Sequence, residues 1–329
     1  MPSRPRLAGV ILGAVLDGAW GEPPRLIHPV AAFGKAMAAV EVPLWRDRRW
    51  AGAVHAAIGV GIAGMTARVL DRASTVGSRR TKRPSFATVR AGTILGEVLT
   101  TALAAYVVTA RRDLAEEASG IASALRAGDA DRARAALPAL VGRDADGLDE
   151  KEIARAVVES VAESTVDGIV APLVYAVLGG VPGALVYRAI NTMDSMVGHR
   201  SDRYANYGWA SARLDDVVNW LPARLSVALV ALARPGSAVE VVKVVRRDAP
   251  RHPSPNAGRP EAAFAAALGV RLGGSNSYDG LAEERATLGH GRPPEVDDID
   301  RAVVLSRQVT RVFVLAVAAL AVRPTKRCR

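Results

Sequence analysis

The chain has 329 residues, half of them hydrophobic, 23% charged and only 5% aromatic, with a formal net charge of +10. Ala, Leu, Val and Arg recur while β-branched runs stay short, which favours helices and argues against a sheet-built fold. The basic excess does not interleave with aromatic residues, which argues against nucleic acid as a partner, and the lone Cys328 excludes an intrachain disulfide or a thiolate metal cluster.

The stretch Leu7 to Trp20 is apolar behind a basic start and shows no small-residue cleavage site before Asp17, so it reads as a retained first membrane helix. Asp17, Glu22, Arg25 and His28 then surround a double proline that fixes a rigid, extended loop at a membrane boundary. His28, just before Pro29, reads first as a structural hydrogen-bonding group. Ala51 to Leu70 and Ala91 to Ala110 are the cleanest spans. Between them the cluster Arg79, Arg80, Lys82 and Arg83 is placed to meet anionic lipid headgroups. Ile169 to Ile190, Val217 to Ala233 and Ala302 to Val322 bring the expected spans to about four to six. Gly179, Gly180, Pro182 and Gly183 interrupt the third of these stretches from the C-terminal end and predict a broken or re-entrant helix. Loop charge gives no clean orientation, and the topology stays open.

Arg111 to Asp167 is acidic with helical patterning and breaks near Gly128 and at Gly142 to Gly147, as expected for polar helices outside the bilayer. Asp149, followed three residues later by Glu152, is a capping signal. Glu159, Glu163 and Asp167 recur at four-residue spacing and fall within an arc of about 80°. Three such carboxylates repel one another. They are either a solvated acidic face or a site for a hard cation such as Mg²⁺ that brings a nucleotide phosphate with it. Arg188, Asn191 and Asp194 share the next helix face, and Arg213 with Asp216, then Asp215 with Asn219, repeat the pattern. Beside apolar spans these groups either form interhelical ion pairs or line a polar pocket. Arg234 to Arg301, rich in Pro and Gly, reads as largely loop with one short helix near Glu261 to Leu268. Its Ser-Pro-Asn-Ala-Gly start and Pro260-Glu261 step offer backbone N–H groups to an anion. The common nucleotide and hydrolase motifs are absent, and the histidines lack close metal-ligand spacing. The expected architecture is an all-α, multi-spanning helical membrane protein, one integral-membrane domain over 1–329, with polar helical and loop segments outside the bilayer.

Three stretches, LDGAWGEPPRLIHPVAAFGK, the long run from GRDADGLDEKEIARAVVESVAESTVDG through YRAINTMDSMVGHRSDRYANYGWASARLDDVVNWLPARL, and SPNAGRPEAAFAAALGVRLGGSNSYDG, resemble the CobD/CbiB family of adenosylcobinamide-phosphate synthases. They occur in the family's order over roughly half the chain. The resemblance implies a bacterial, multi-pass cell-membrane enzyme that uses ATP and Mg²⁺ to join aminopropanol, or its phosphate, to a carboxylate of adenosylcobyric acid. On that reading Glu159, Glu163 and Asp167 hold the metal. Arg188, Arg200, Arg213 and Asn256 take substrate phosphate, and Asp194 or Asp216, with Asn191, serves the proton transfer. Whether the amine is phosphorylated and whether the chain forms homo-oligomers stay open. Ser164 stands where the family commonly has Asn, and Arg259 where it usually has an aromatic residue, which puts a catalytic role at 164 and a stacking role at 259 in doubt. A corrinoid transporter and a non-catalytic membrane scaffold are the rival classes. The lack of an internal repeat counts against the first, and the aligned carboxylates count against the second.

Overall fold

The computed structural model describes residues 2–24, 27–76, 86–142, 146–199, 201–278 and 281–322. Arg25, Arg200, Cys328 and the basic cluster at 79–83 lie outside the described residues. In chain order the helices are α1 (Arg4–Trp20), α2 (Pro29–Leu44), α3 (Arg49–Val76), α4 (Phe86–Val108), α5 (Arg111–Arg126), α6 (Ala130–Ala136), α7 (Glu150–Thr165), α8 (Ala171–Met193), α9 (Trp209–Val218), α10 (Trp220–Ala233), α11 (Ala238–Asp248), α12 (Gly258–Leu268) and α13 (Val296–Val322). An antiparallel hairpin of β1 (Leu272–Tyr278) and β2 (Leu281–Leu288) stands between α12 and α13.

Four helical stretches among the described residues are long and apolar enough to cross a bilayer: Arg49–Arg72, Gly92–Arg126, Glu150–Gly198 and Val296–Val322. A bent pair, α9 with α10, makes a fifth if it counts as one span. The chain is therefore a helical, multi-pass membrane protein. At 17 residues α1 is shorter than a typical span of about 20, although the sequence alone reads it as the first membrane helix. The chain divides into two compact units, one of residues 1–110, 171–218 and 314–329, the other of 111–170 and 219–313.

In the first unit, α1 lies against α4 at very short range. A Cβ on Gly9 would stand 2.7 Å from the Val98 carbonyl oxygen, and one on Gly13 would stand 2.6 Å from that of Ala102. Two glycines four apart on one face thus let the backbones touch, which in an apolar setting replaces the missing hydrophobic drive with dense packing. The break foreseen in α8 falls at Gly180, whose φ of 61° and ψ of −143° leave the helical region, with Pro182 two residues on. The Arg6 side chain donates to the Leu178 carbonyl at 3.1 Å, beside the break.

In the second unit, α7 starts with the expected capping box. The Glu152 N–H donates to Asp149 Oδ1 at 2.8 Å, and the Asp149 N–H donates to Glu152 Oε2 at 2.9 Å. Most of α7 is buried rather than presenting one solvated face, from Ile153 through Thr165. Ser160 Oγ donates to the Leu140 carbonyl at 2.6 Å, and Thr165 Oγ1 meets Ser306 Oγ at 2.8 Å. The region read as largely loop contains a further helix and a hairpin beyond those expected. Helix α11 buries Val241, Val244, Val245 and Asp248, a spacing of three, one and three that was legible as a helical stripe. The hairpin was not legible, because β1 is mostly Gly, Ser and Asn, which have little strand propensity.

Buried carboxylates brace this unit. Asp248, 2% exposed, accepts both Arg247 Nε and Nη2 at 2.6 Å and the Gly289 N–H at 2.9 Å. The Arg247 hydrogen bonds hold its carboxyl below the ordinary carboxylate value, with burial opposing and the Gly289 N–H assisting. Asp298, fully buried, receives Arg292 through two bonds at 2.6 and 3.2 Å, Arg301, and the Glu295 N–H at 2.9 Å.

Candidate functional site

The first unit carries a polar strip joining α8 and α9. Arg188 and Asn191 lie one turn apart on α8, and Arg188 Nη1 donates to Asn191 Oδ1 at 3.4 Å. The Asn191 amide donates in turn to Asp215 Oδ1 on α9, also at 3.4 Å. Asn191 is 9% exposed, and Arg188 Nε is buried with no hydrogen-bond partner among the described residues. Asp216 pairs with Arg213 at 3.3 Å on its own helix. Asp194 opens a widened, π-type turn, Asp194–Gly198, whose close is so tight that a Cβ on Gly198 would stand 1.9 Å from Asp194 Oδ1. The structure thus brings Arg188, Asn191 and Asp215 together and leaves Arg213 with Asp216 as a separate, more exposed pair.

Next to this strip, the segment after Arg200 forms a clasp that sequence reasoning missed. Glu41 on α2 is buried and accepts Arg203 Nη2 at 2.9 Å and the Tyr204 hydroxyl at 3.0 Å. Arg203 also lies over the Trp45 ring at 5.0 Å. Its bond to Glu41 raises the Arg203 pKa further. Asn206 donates to Asp47 at 2.9 Å. Tyr207 is fully buried beside His55, ring centroids 5.5 Å apart, and burial pushes its hydroxyl up to about 12. The available signal was Arg, Tyr and Tyr at 203, 204 and 207 following a polar helix end. In the same unit His28 caps α2, its Nδ1 accepting the Val30 N–H at 3.2 Å while Nε2 faces Glu22 at 3.3 Å.

The acidic series lies in the second unit, and its members sit in three different environments. Glu159, 8% exposed, accepts the Gly273 N–H at 2.7 Å, and Arg155, one turn earlier, donates to the Gly273 carbonyl. These two side chains grip the base of the hairpin through the N–H and the carbonyl of one residue, Gly273. Glu163 is exposed, and Asp167 is half-buried in the π-type turn Val166–Val170. The wide turn departs from the regular four-residue repeat on which the expected common face depended.

The loop before α12 is ordered by its own side chains. Ser254 Oγ accepts the N–H groups of Asn256 and Ala257 at 3.2 and 3.1 Å. The Ser254 N–H donates to His252 Nδ1 at 3.0 Å, and His252 Nε2 stands 3.5 Å from the buried Glu261 carboxylate. Asn256, 6% exposed, accepts Arg224 Nη1 at 3.2 Å.

Among the described residues no three His, Cys, Asp or Glu side chains lie close enough together to hold a metal ion. A cage of Glu159, Glu163 and Asp167 therefore does not fit. Magnesium ions commonly keep several waters and share only one or two carboxylates with phosphate oxygens.

The profile of the family described as CobD/Cbib protein matches residues 10–306. A cobalamin biosynthesis protein CobD from Mycobacterium tuberculosis is 46% identical over 310 residues, 92% of each chain. Proteins of the same name from Geobacter metallireducens and Halalkalibacterium halodurans are 41% identical over 87% of each chain and 38% identical over 93% of each. No solved structure matches the chain. With a family profile spanning nearly its whole length and relatives of this identity over nine-tenths of both sequences, the chain belongs to the CobD/CbiB family of cobalamin biosynthesis proteins.

Proposed function

We propose that the chain is an ATP-dependent carboxylate-amine ligase of the bacterial cell membrane, joining aminopropanol or aminopropanol phosphate to a carboxylate of adenosylcobyric acid. The observation that carries this reading is the family match over residues 10–306. The polar strip on α8 and α9 supports it, since Arg188, Asn191 and Asp215 satisfy one another only in part and Arg188 Nε stays buried without a hydrogen-bond partner among the described residues.

A carboxylate does not condense with an amine in water without activation. In the proposed sequence the corrinoid carboxylate attacks the γ-phosphorus of ATP, giving an acyl phosphate and ADP. The amine then attacks the acyl carbon, inorganic phosphate leaves, and the ammonium proton passes to a carboxylate. Arg188, Arg200 and Arg213 are assigned to phosphate charge. Asp194 or Asp216 takes the proton, and Asn191 orients Arg188. Magnesium, held by Glu163 and Asp167, would neutralise phosphate charge.

The test is to incubate the purified, detergent-solubilised protein with adenosylcobyric acid, ATP, Mg²⁺ and either amine, and to identify the corrinoid by mass. The expected product has gained the amine less one water, with ADP formed in equal amount. Unchanged corrinoid under all conditions, or product formed without ATP, rejects the reading.

A further inference from the structure

The clasp over α2 in the first unit has the chemistry of a cage for an organic cation, and it already holds one. Glu41 supplies a carboxylate whose side chain is 11% exposed, whereas the Arg203 side chain paired with it is 57% exposed. The guanidinium stands over two aromatic faces, Trp45 at 5.0 Å and Tyr204 at 5.4 Å. Arg203 Nη2 and the Tyr204 hydroxyl both donate to one oxygen, Glu41 Oε1, at 2.9 and 3.0 Å. Glu41 Oε2 accepts no hydrogen bond among the described residues. Trp45 and Tyr204 pack against the cluster of Ala51, Val197 and Tyr207, and the rings of Tyr204 and Tyr207 are 6.4 Å apart. Two donors in this cluster are unused. Trp45 Nε1 and the hydroxyl of the fully buried Tyr207 are buried without a hydrogen-bond partner among the described residues.

The anion of this pair is sheltered and fixed, while its cation is the exposed end of a long side chain. An ion pair with one partner so exposed contributes little, so another cation can take the place of Arg203. Aromatic faces beside the carboxylate favour an organic ammonium over a strongly hydrated metal ion. Buried donors left unbonded are costly, and the two unused ones call for an oxygen on the same ligand. A short carbon frame that carries one ammonium and one oxygen is an amino alcohol. We propose that Glu41, Trp45 and Tyr204 form the docking site for the ammonium of a small amino alcohol, with Arg203 as the placeholder it displaces and Tyr207 as a donor to its oxygen. That this ligand is the substrate amine rests on the ligase reading. That the cage exchanges Arg203 for an amino alcohol does not.

The full chain in uncharged detergent is titrated calorimetrically with aminopropanol, with propylamine, which keeps the ammonium without the hydroxyl, and with propanediol, which keeps the oxygen without the ammonium. Aminopropanol is expected to saturate, propylamine to bind several-fold more weakly and propanediol not to bind. Glu41→Gln should weaken aminopropanol at least about tenfold, as expected for loss of a charge-assisted hydrogen bond. Arg203→Gln should tighten it about two- to fivefold, because the competing cation is gone; a purely structural ion pair predicts no such gain. Tyr207→Phe should reduce aminopropanol to the affinity of propylamine and leave propylamine unchanged. If Glu41→Gln melts early, Arg203→Gln and Tyr207→Phe carry the comparison. Absence of saturable binding in both wild type and Arg203→Gln, or Arg203→Gln binding aminopropanol no tighter than wild type, overturns the proposal. Saturable binding without product formation faults the ligase reading and leaves the cage standing. Product formation by Glu41→Gln with an unchanged KM for the amine overturns the cage and leaves the ligase reading.

Discussion

Replacing Glu159 with Ala should loosen the hairpin at its base. Its carboxylate is 8% exposed and accepts the Gly273 N–H at 2.7 Å, so water does little to replace the lost bond. A hydrogen bond to an ionised acceptor contributes about 1.5–3 kcal/mol, which corresponds to roughly 10- to 100-fold faster exchange of that amide through local opening. The effect should stay local, because Leu272 and Leu288, paired across the hairpin base, remain buried and continue to pack. Hydrogen–deuterium exchange of the full chain in detergent, read by mass spectrometry on peptides covering 268–276, measures it directly. Peptides from α12 should exchange as in wild type, and Arg155→Ala should act in the same direction through the Gly273 carbonyl. Glu163→Ala, altering an exposed carboxylate one turn on, should leave Gly273 protected. Equal exchange at Gly273 in wild type and Glu159→Ala, or an equal rise in Glu163→Ala, would refute the assignment of Glu159 as a clamp.

Three further outcomes are expected. Glu163→Gln should lower product formation at least about tenfold, or about 1.4 kcal/mol of transition-state stabilisation, and added Mg²⁺ should restore part of it; near-wild-type rates across a Mg²⁺ series would remove Glu163 from the metal. Asp248 has a folded pKa below its ordinary 3.8, so its stabilising contribution is complete above that value and is lost as pH falls further, through the lower folded value. Melting curves of wild type and Asp248→Asn should therefore differ at pH 6 and converge only below pH 3.8, and a gap independent of pH would contradict the linkage. Glu41→Gln should weaken the hold on the largely exposed Arg203 and so speed tryptic cleavage there several-fold; an unchanged cleavage rate would show that Glu41 does not secure the segment.

The sequence was most legible where a single residue dictates backbone geometry. Gly180 followed by Pro182 announces the break in α8, and Asp149 with Glu152 announces the start of α7, because both effects are local to a few bonds. The acidic series was legible as residues but not as an arrangement. Four-residue spacing assumes an unbroken α-helix, and the π-type turn at Val166–Val170 is not encoded by any one side chain. Glu159 differs from Glu163 through a partner 114 positions away, which no local pattern records. The same applies to Glu41 and Arg203, separated by 162 positions. Helix α11 was overlooked for a different reason. Its valines favour strands by propensity, and only their spacing reveals the helix.

The two units interleave along the chain, the first using residues 1–110, 171–218 and 314–329, the second 111–170 and 219–313. Neither can be completed from one continuous stretch during synthesis. Helices α1 to α4 leave the ribosome well before α8 and α9, which the first unit requires, while α7 waits for α12 and the hairpin. Glu159 has no Gly273 to hold until more than a hundred further residues have been made. The nascent protein therefore carries half-built membrane packing for much of its synthesis, and a lag of this kind exposes apolar surface to misassembly. A truncation near residue 170 or 218 would leave both units incomplete, so splitting this protein into separately expressed halves at either point should yield fragments that fold only together.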